Sequence, residues 1–240
     1  MLIATGLAAA LLVALYLLIG RMTFLNVMPR SLWLSFAGGC AVAYVFVYLL
    51  PRIANEGAQL LGLPGADLVR YPVWLVAMAG LVVFYGLELL VQRDREERED
   101  EGRDDSSAGV FWVHIGAFAL YNLLIGLLLA QRYEYGVRAF LFYAVAIALH
   151  FLSNDFGLRE EHEEQYERRG RWLLSAALGA GWAVGLLAHL PKAAAAAAFA
   201  FLAGGIVLNV LKEELPEKRE SSFLPFLGGI AGFSALLLIT

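Results

Sequence analysis

Apolar residues run through this chain in blocks of about 18 to 21 positions, separated by short polar or charged stretches. An α-helix rises about 1.5 Å per residue, so roughly 20 residues cover the hydrocarbon core of a bilayer. Eight blocks reach that length: Leu2 to Ile19, Ser31 to Leu50, Pro72 to Val91, Val110 to Ala130, Arg138 to Phe156, Trp172 to Leu190, Ala193 to Lys212 and Ser222 to Ile239. The pattern predicts an all-α integral membrane protein with eight spans in one transmembrane domain. No basic residue or small-residue cleavage site accompanies the first block, so it reads as a retained helix rather than a removed signal peptide. Only Pro191 and Lys192 separate the sixth and seventh blocks, and the proline favours a tight turn there.

Composition agrees, with 60% hydrophobic residues and a mean hydropathy of +0.67. The lipid bilayer is therefore the first partner expected. Cys40 is the one cysteine, so no intramolecular disulfide forms. The net charge of -4 is spread through loops without a basic stripe, which argues against a nucleic-acid partner.

Lys and Arg accumulate in cytoplasmic loops. The loops after the odd spans hold thirteen: Arg21, Arg30, Arg93, Arg95, Arg98, Arg103, Arg159, Arg168, Arg169, Arg171, Lys212, Lys218 and Arg219. Those after the even spans hold five: Arg52, Arg70, Arg132, Arg138 and Lys192. This asymmetry places both termini outside the cytoplasm, in the plasma (inner) membrane. Residues 92–108 form a charged cytoplasmic loop, mixed in sign and without histidine, and read as a solvated linker. The second charged stretch, Leu158 to Arg171, carries helix-compatible pairs such as Glu164 with Arg168 and reads as a helical extension of the fifth span. His162, among Glu160, Glu161 and Glu163, is a candidate metal ligand within that otherwise solvated face.

The candidate chemistry lies in the fourth and fifth spans. The fifth ends in His150, Ser153, Asn154 and Asp155, and the fourth carries His114, Tyr121 and Asn122. An ionisable side chain in a membrane costs roughly 2.5–3.5 kcal/mol and faces a partner, a cavity or an ion path. His150 and Asn154 are one helical turn apart and share a face. Asn122, His150, Asn154 and Asp155 together offer imidazole, amide and carboxylate donors suited to a divalent cation. The alternative is packing alone, with Asn122 hydrogen-bonded to Asn154. His114, two turns before Asn122, reads as a packing residue.

An Ala-Gly-Gly at Ala37 to Gly39 recurs at Ala203 to Gly205, each followed at near-equal spacing by Leu-Pro. The two helices run in opposite directions by the loop charges. This suggests inverted three-helix repeats, spans 1 to 3 and 6 to 8, around a central pair.

Taken together, these features resemble the ZIP (Zrt-/Irt-like protein) metal transporter family over nearly the whole chain. The resemblance rests on eight spans with the termini outside and on Tyr48-Leu49-Leu50-Pro51-Arg52, where the family often shows His-Leu-Leu-Pro-Glu. It rests also on the Ala-Gly-Gly and Leu-Pro-Glu elements of the seventh span. In the fourth span Tyr121-Asn122-Leu123-Leu124-Ile125-Gly126 matches the family's His-Asn-x-x-Glu-Gly. In the fifth, His150-Phe151-Leu152-Ser153-Asn154-Asp155 stands at His-Glu-x-Pro-Glu-Gly. Asn122 and His150 match family ligands; Asn154 replaces a glutamate, and Tyr121, Ile125 and Phe151 replace other ligands.

The resemblance implies a 3+2+3 inverted-repeat bundle, a homodimer, and transport of a divalent metal of the zinc or iron class through a site on spans 4 and 5. It implies no enzyme activity and no resident cofactor. The loss of carboxylates motivates an alternative, a ZIP-fold protein that has lost metal transport and serves as a binding or regulatory subunit. A remote alternative is an intramembrane protease, from His150-x-x-x-Asn154 and Glu163-Glu164-x-x-x-Arg168.

Overall fold

The computed structural model describes residues 2–18, 30–60, 71–100, 107–132, 136–137, 140–141, 143–145, 147–148, 150–151, 155, 158, 162, 165–188, 190–214 and 222–238. Among these residues there is no strand. The helices are α1 (Leu2–Leu18), α2 (Arg30–Ala43), α3 (Leu50–Leu60), α4 (Pro72–Asp100), α5 (Ala108–Arg132), α6 (Arg171–Leu187), α7 (Lys192–Glu214) and α8 (Phe223–Leu238). Wider π-helical turns, Tyr44–Leu49 and Tyr166–Gly170, lead into α3 and α6. The described residues of 137–165 are also helical.

Among the described residues five stretches are long and apolar enough to cross a membrane: Ser35–Gly57, Pro72–Arg98, Gly109–Gln131, Tyr166–Leu187 and Lys192–Lys212. Leu2–Leu18 and Phe223–Leu238 are apolar but shorter. Exposed apolar side chains include Leu7 and Leu11 on α1, Trp74, Met78 and Val82 on α4, and Leu227 on α8. Such a surface suits lipid, and the chain is an all-helical integral membrane protein.

Two helices exceed the spans read from hydropathy. The helix containing span 2 runs from Arg30 through Pro51 to Leu60 instead of stopping at Leu50. Pro51 has no N–H to offer the carbonyl four residues back, and its ring crowds that carbonyl. The π-helical turn just before it, in which the Leu50 N–H bonds to the Val45 carbonyl, absorbs that misfit. Helix α4 likewise continues to Asp100, into the stretch expected to be a solvated linker, with Asp94 and Arg98 paired at 3.6 Å across one turn. Pro191 does separate two helices: Ala188 is extended, and α7 starts at Lys192.

The chain forms two compact units, one of Met1–Ile19 with Val82–Leu190 and the other of Gly20–Leu81 with Pro191–Thr240. In the first unit α5 and α6 touch backbone to backbone. A β-carbon at Gly126 would strike the Leu178 carbonyl, and one at Gly181 would strike that of Leu123. Further contacts match Ile115 with Gly170 and Ala130 with Gly185, so the numbers rise together and the two helices run parallel. Without a hydrophobic force between helices in lipid, close approach of this kind is what holds them.

In the second unit α2 and α8 meet in the same way. Gly39 lies against the Phe226 carbonyl and Gly229 against that of Phe36. The Cys40 thiol donates to the Gly229 carbonyl at 3.7 Å, and the Ser222 N–H donates to Ser35 Oγ at 2.9 Å.

Candidate functional site

Buried residues on α5 recur at helical spacing, Phe111, His114, Ile115, Phe118, Tyr121, Asn122 and Ile125, and define one inward stripe. The 137–165 segment begins beside Gly136, whose φ of 101° suits only glycine, with the Phe140 N–H bonded to the Gly136 carbonyl at 3.1 Å. Its buried residues, Tyr143, Ile147, His150, Phe151, Asp155 and His162, again share helical spacing.

The two stripes face each other. The Tyr121 hydroxyl lies 3.1 Å from His150 Nε2, and the Tyr143 hydroxyl donates to the Ile125 carbonyl at 3.4 Å. One number rises as the other falls, so residues 143–150 run antiparallel to α5.

Asn122 is fully buried, as is Tyr16 of α1. The Tyr16 hydroxyl sits 3.3 Å from Asn122 Oδ1 and 3.1 Å from Nδ2, and so satisfies the amide as donor or as acceptor. The Tyr16 ring also packs against Phe151 at 4.5 Å between centroids. Asp155, with no exposure, accepts a very short hydrogen bond from the Tyr166 hydroxyl.

Of Leu158 to Arg171, expected as a helical extension of the fifth span, Leu158, His162 and residues 165–171 are helical. Residues 159–161, 163 and 164 lie outside the described residues, so the expected pairing of Glu164 with Arg168 does too; Arg171 and Glu167 pair at 2.7 Å across one turn.

Near the N-terminal end of α5, His114 Nδ1 and His162 Nε2 approach to 2.8 Å, one donating and the other accepting according to tautomer. Both rings are buried. Phe118 stands edge-on to His114 and Phe111 to His162, at 4.9 and 5.3 Å. Burial pushes the His162 pKa from 6.5 down to about 4, with the Asp94 carboxylate pulling weakly the other way. His162 is therefore neutral at pH 7.

Three of the four proposed metal-site residues, Asn122, His150 and Asp155, are buried within this unit, and each is held by a tyrosine hydroxyl. Asn154 lies outside the described residues, as do Ser153, Glu160, Glu161, Glu163 and Glu164. Asn122 has the Tyr16 hydroxyl as a partner; the alternative contact with Asn154 lies outside the described residues. Among the described residues no group of three or more His, Cys, Asp or Glu is placed to hold a metal ion.

Sequence reasoning missed Tyr16, Tyr166 and the meeting of His114 with His162. A tyrosine alone in the apolar first span was the available signal for Tyr16. The other two join residues 11 and 48 apart, beyond the reach of a helical repeat.

A scan against protein-family models and a search of curated proteins return no match to this chain.

Proposed function

We propose that the chain is a ZIP-like membrane carrier for a divalent cation of the zinc or iron class, with its passage along α5 and the 137–165 segment. The reading takes eight spans in a 3+2+3 bundle, both termini outside the cytoplasm of the plasma membrane, and a homodimer. The observation that carries it is the burial of Asn122, His150 and Asp155 on neighbouring helical segments of one apolar unit. Polar groups of this kind are costly in a membrane unless partnered or used. The parallel course of α5 and α6, with 143–150 antiparallel to α5, supports a further crossing between them and hence the eight-span count.

In this arrangement Tyr121 covers His150, and Tyr166 covers Asp155. A cation would bind by displacing these hydroxyls and taking the imidazole and carboxylate lone pairs. Uptake of zinc, iron(II) and manganese into proteoliposomes tests this with Tyr121→Phe. Freeing His150 Nε2 should preserve saturable uptake and lower the metal concentration needed for half-maximal rate. A wild-type protein that is folded and moves none of these ions would end the carrier reading.

A second reading has a specific observation in its favour. The tyrosine hydroxyls satisfy all three described candidates, as a polar centre that only packs would require. A ZIP-like membrane protein that binds or regulates without transporting would keep this network and show uptake insensitive to every metal offered.

A further inference from the structure

Two of the four histidines in the chain, 48 residues apart in sequence, converge in one buried place that the carrier site does not include. His114 comes from α5 and His162 from the 137–165 segment. Their ring nitrogens Nδ1 and Nε2 point at each other across 2.8 Å, within aromatic walls formed by Phe111 and Phe118. Packing alone would be served by apolar rings; two facing imidazoles here share one proton between two ring nitrogens.

From this convergence we propose a second cation site, in which His114 Nδ1 and His162 Nε2 together ligate a late first-row divalent ion of the zinc class. Imidazole nitrogen is the donor such ions prefer, at metal–nitrogen distances of about 2.0–2.1 Å. Tetrahedral coordination at those lengths separates two nitrogens by about 3.4 Å, so the rings need to part by only about half an ångström. The ring that donates the present hydrogen bond moves its proton to its other nitrogen, and both ligating atoms then carry lone pairs with no net proton released. Water would complete the shell.

A cavity of about 440 Å³ beside α4 and the start of α5 is lined by Arg93, Asp94, Glu97 and Val110, the last one turn before His114 on the same helix. Asp94 is also the carboxylate whose field reaches His162. The site stands on this geometry and does not depend on transport.

The test is cobalt(II) titration of the full-length protein in detergent, followed by visible absorption and by displacement with zinc. Wild type should bind one equivalent with the intense bands of a tetrahedral, nitrogen-ligated ion. His114→Phe and His162→Gln should weaken that binding at least tenfold, and His189→Gln should leave it unchanged. Phenylalanine at 114 extends the aromatic wall already present, so that variant remains decisive if His162→Gln fails to fold. The proposal is overturned if the wild type binds no cobalt, if His114→Phe binds as tightly as the wild type, or if His150→Ala alone removes the signal. The last outcome would place the ion at the carrier site.

Discussion

The Tyr166 hydroxyl donates to the Asp155 carboxylate, and both side chains are fully buried. A buried carboxylate deprived of its donor carries a desolvation cost of about 1–3 kcal/mol or more. Tyr166→Phe should therefore lower the thermal unfolding midpoint in detergent, and adding Asp155→Asn should recover part of the loss. Equal midpoints for wild type and Tyr166→Phe would mean that the bond adds nothing to stability.

Tyr16 and Asn122 join α1 to α5 through a single amide and hydroxyl. Tyr16→Phe and Asn122→Leu should each destabilise by about 1–3 kcal/mol, because each strands the other polar group. The double variant should cost clearly less than the sum, a coupling that a double-mutant cycle on chemical denaturation reads directly. Simple additivity would contradict the contact.

Gly126 and Gly181 let α5 and α6 touch, and backbone lies where a side chain would go. Replacement of either by alanine forces the helices apart and should cost about 1–3 kcal/mol or prevent folding. Gly179, on the same helix with open space around it, should accept alanine without loss. Monodispersity and melting temperature of the three variants in detergent check the contrast.

Much of the helical plan was legible because the membrane forces it: apolar blocks near 20 residues announce themselves without alignment. Helix ends were less so. Pro51 reads as a stop, yet the π-helical turn before it lets the helix continue to Leu60, and the charged residues after Val91 stay helical to Asp100. Of the candidate site, Asn122, His150 and Asp155 were visible as polar residues in apolar blocks. Their tyrosine partners were not, since Tyr16 lies 106 residues from Asn122 and Tyr166 lies 11 from Asp155, a separation that matches no helical contact spacing. His114 was read as a packing residue for the same reason: its partner, His162, is distant in sequence.

Burial of neutral His162 makes stability dependent on pH in one direction. Its folded pKa, about 4, lies below the unfolded 6.5, so the unfolded chain binds more protons between those values. With a chelator present to exclude metal, stability should fall as pH drops from 6.5 toward 4, by an amount on the order of 3 kcal/mol. Above pH 6.5 this group contributes no slope. His162→Phe should flatten the acid limb; an unchanged limb would assign the loss to other groups.

Time-resolved zinc uptake into proteoliposomes, with wild type beside His150→Ala and an Asn122→Ala, Asn154→Ala double variant, tests the carrier reading most directly. Saturable uptake by the wild type, abolished in both variants while they remain folded, is the expected result. Uptake that survives both changes, or none by folded wild type, would contradict a cation path through α5 and the 137–165 segment.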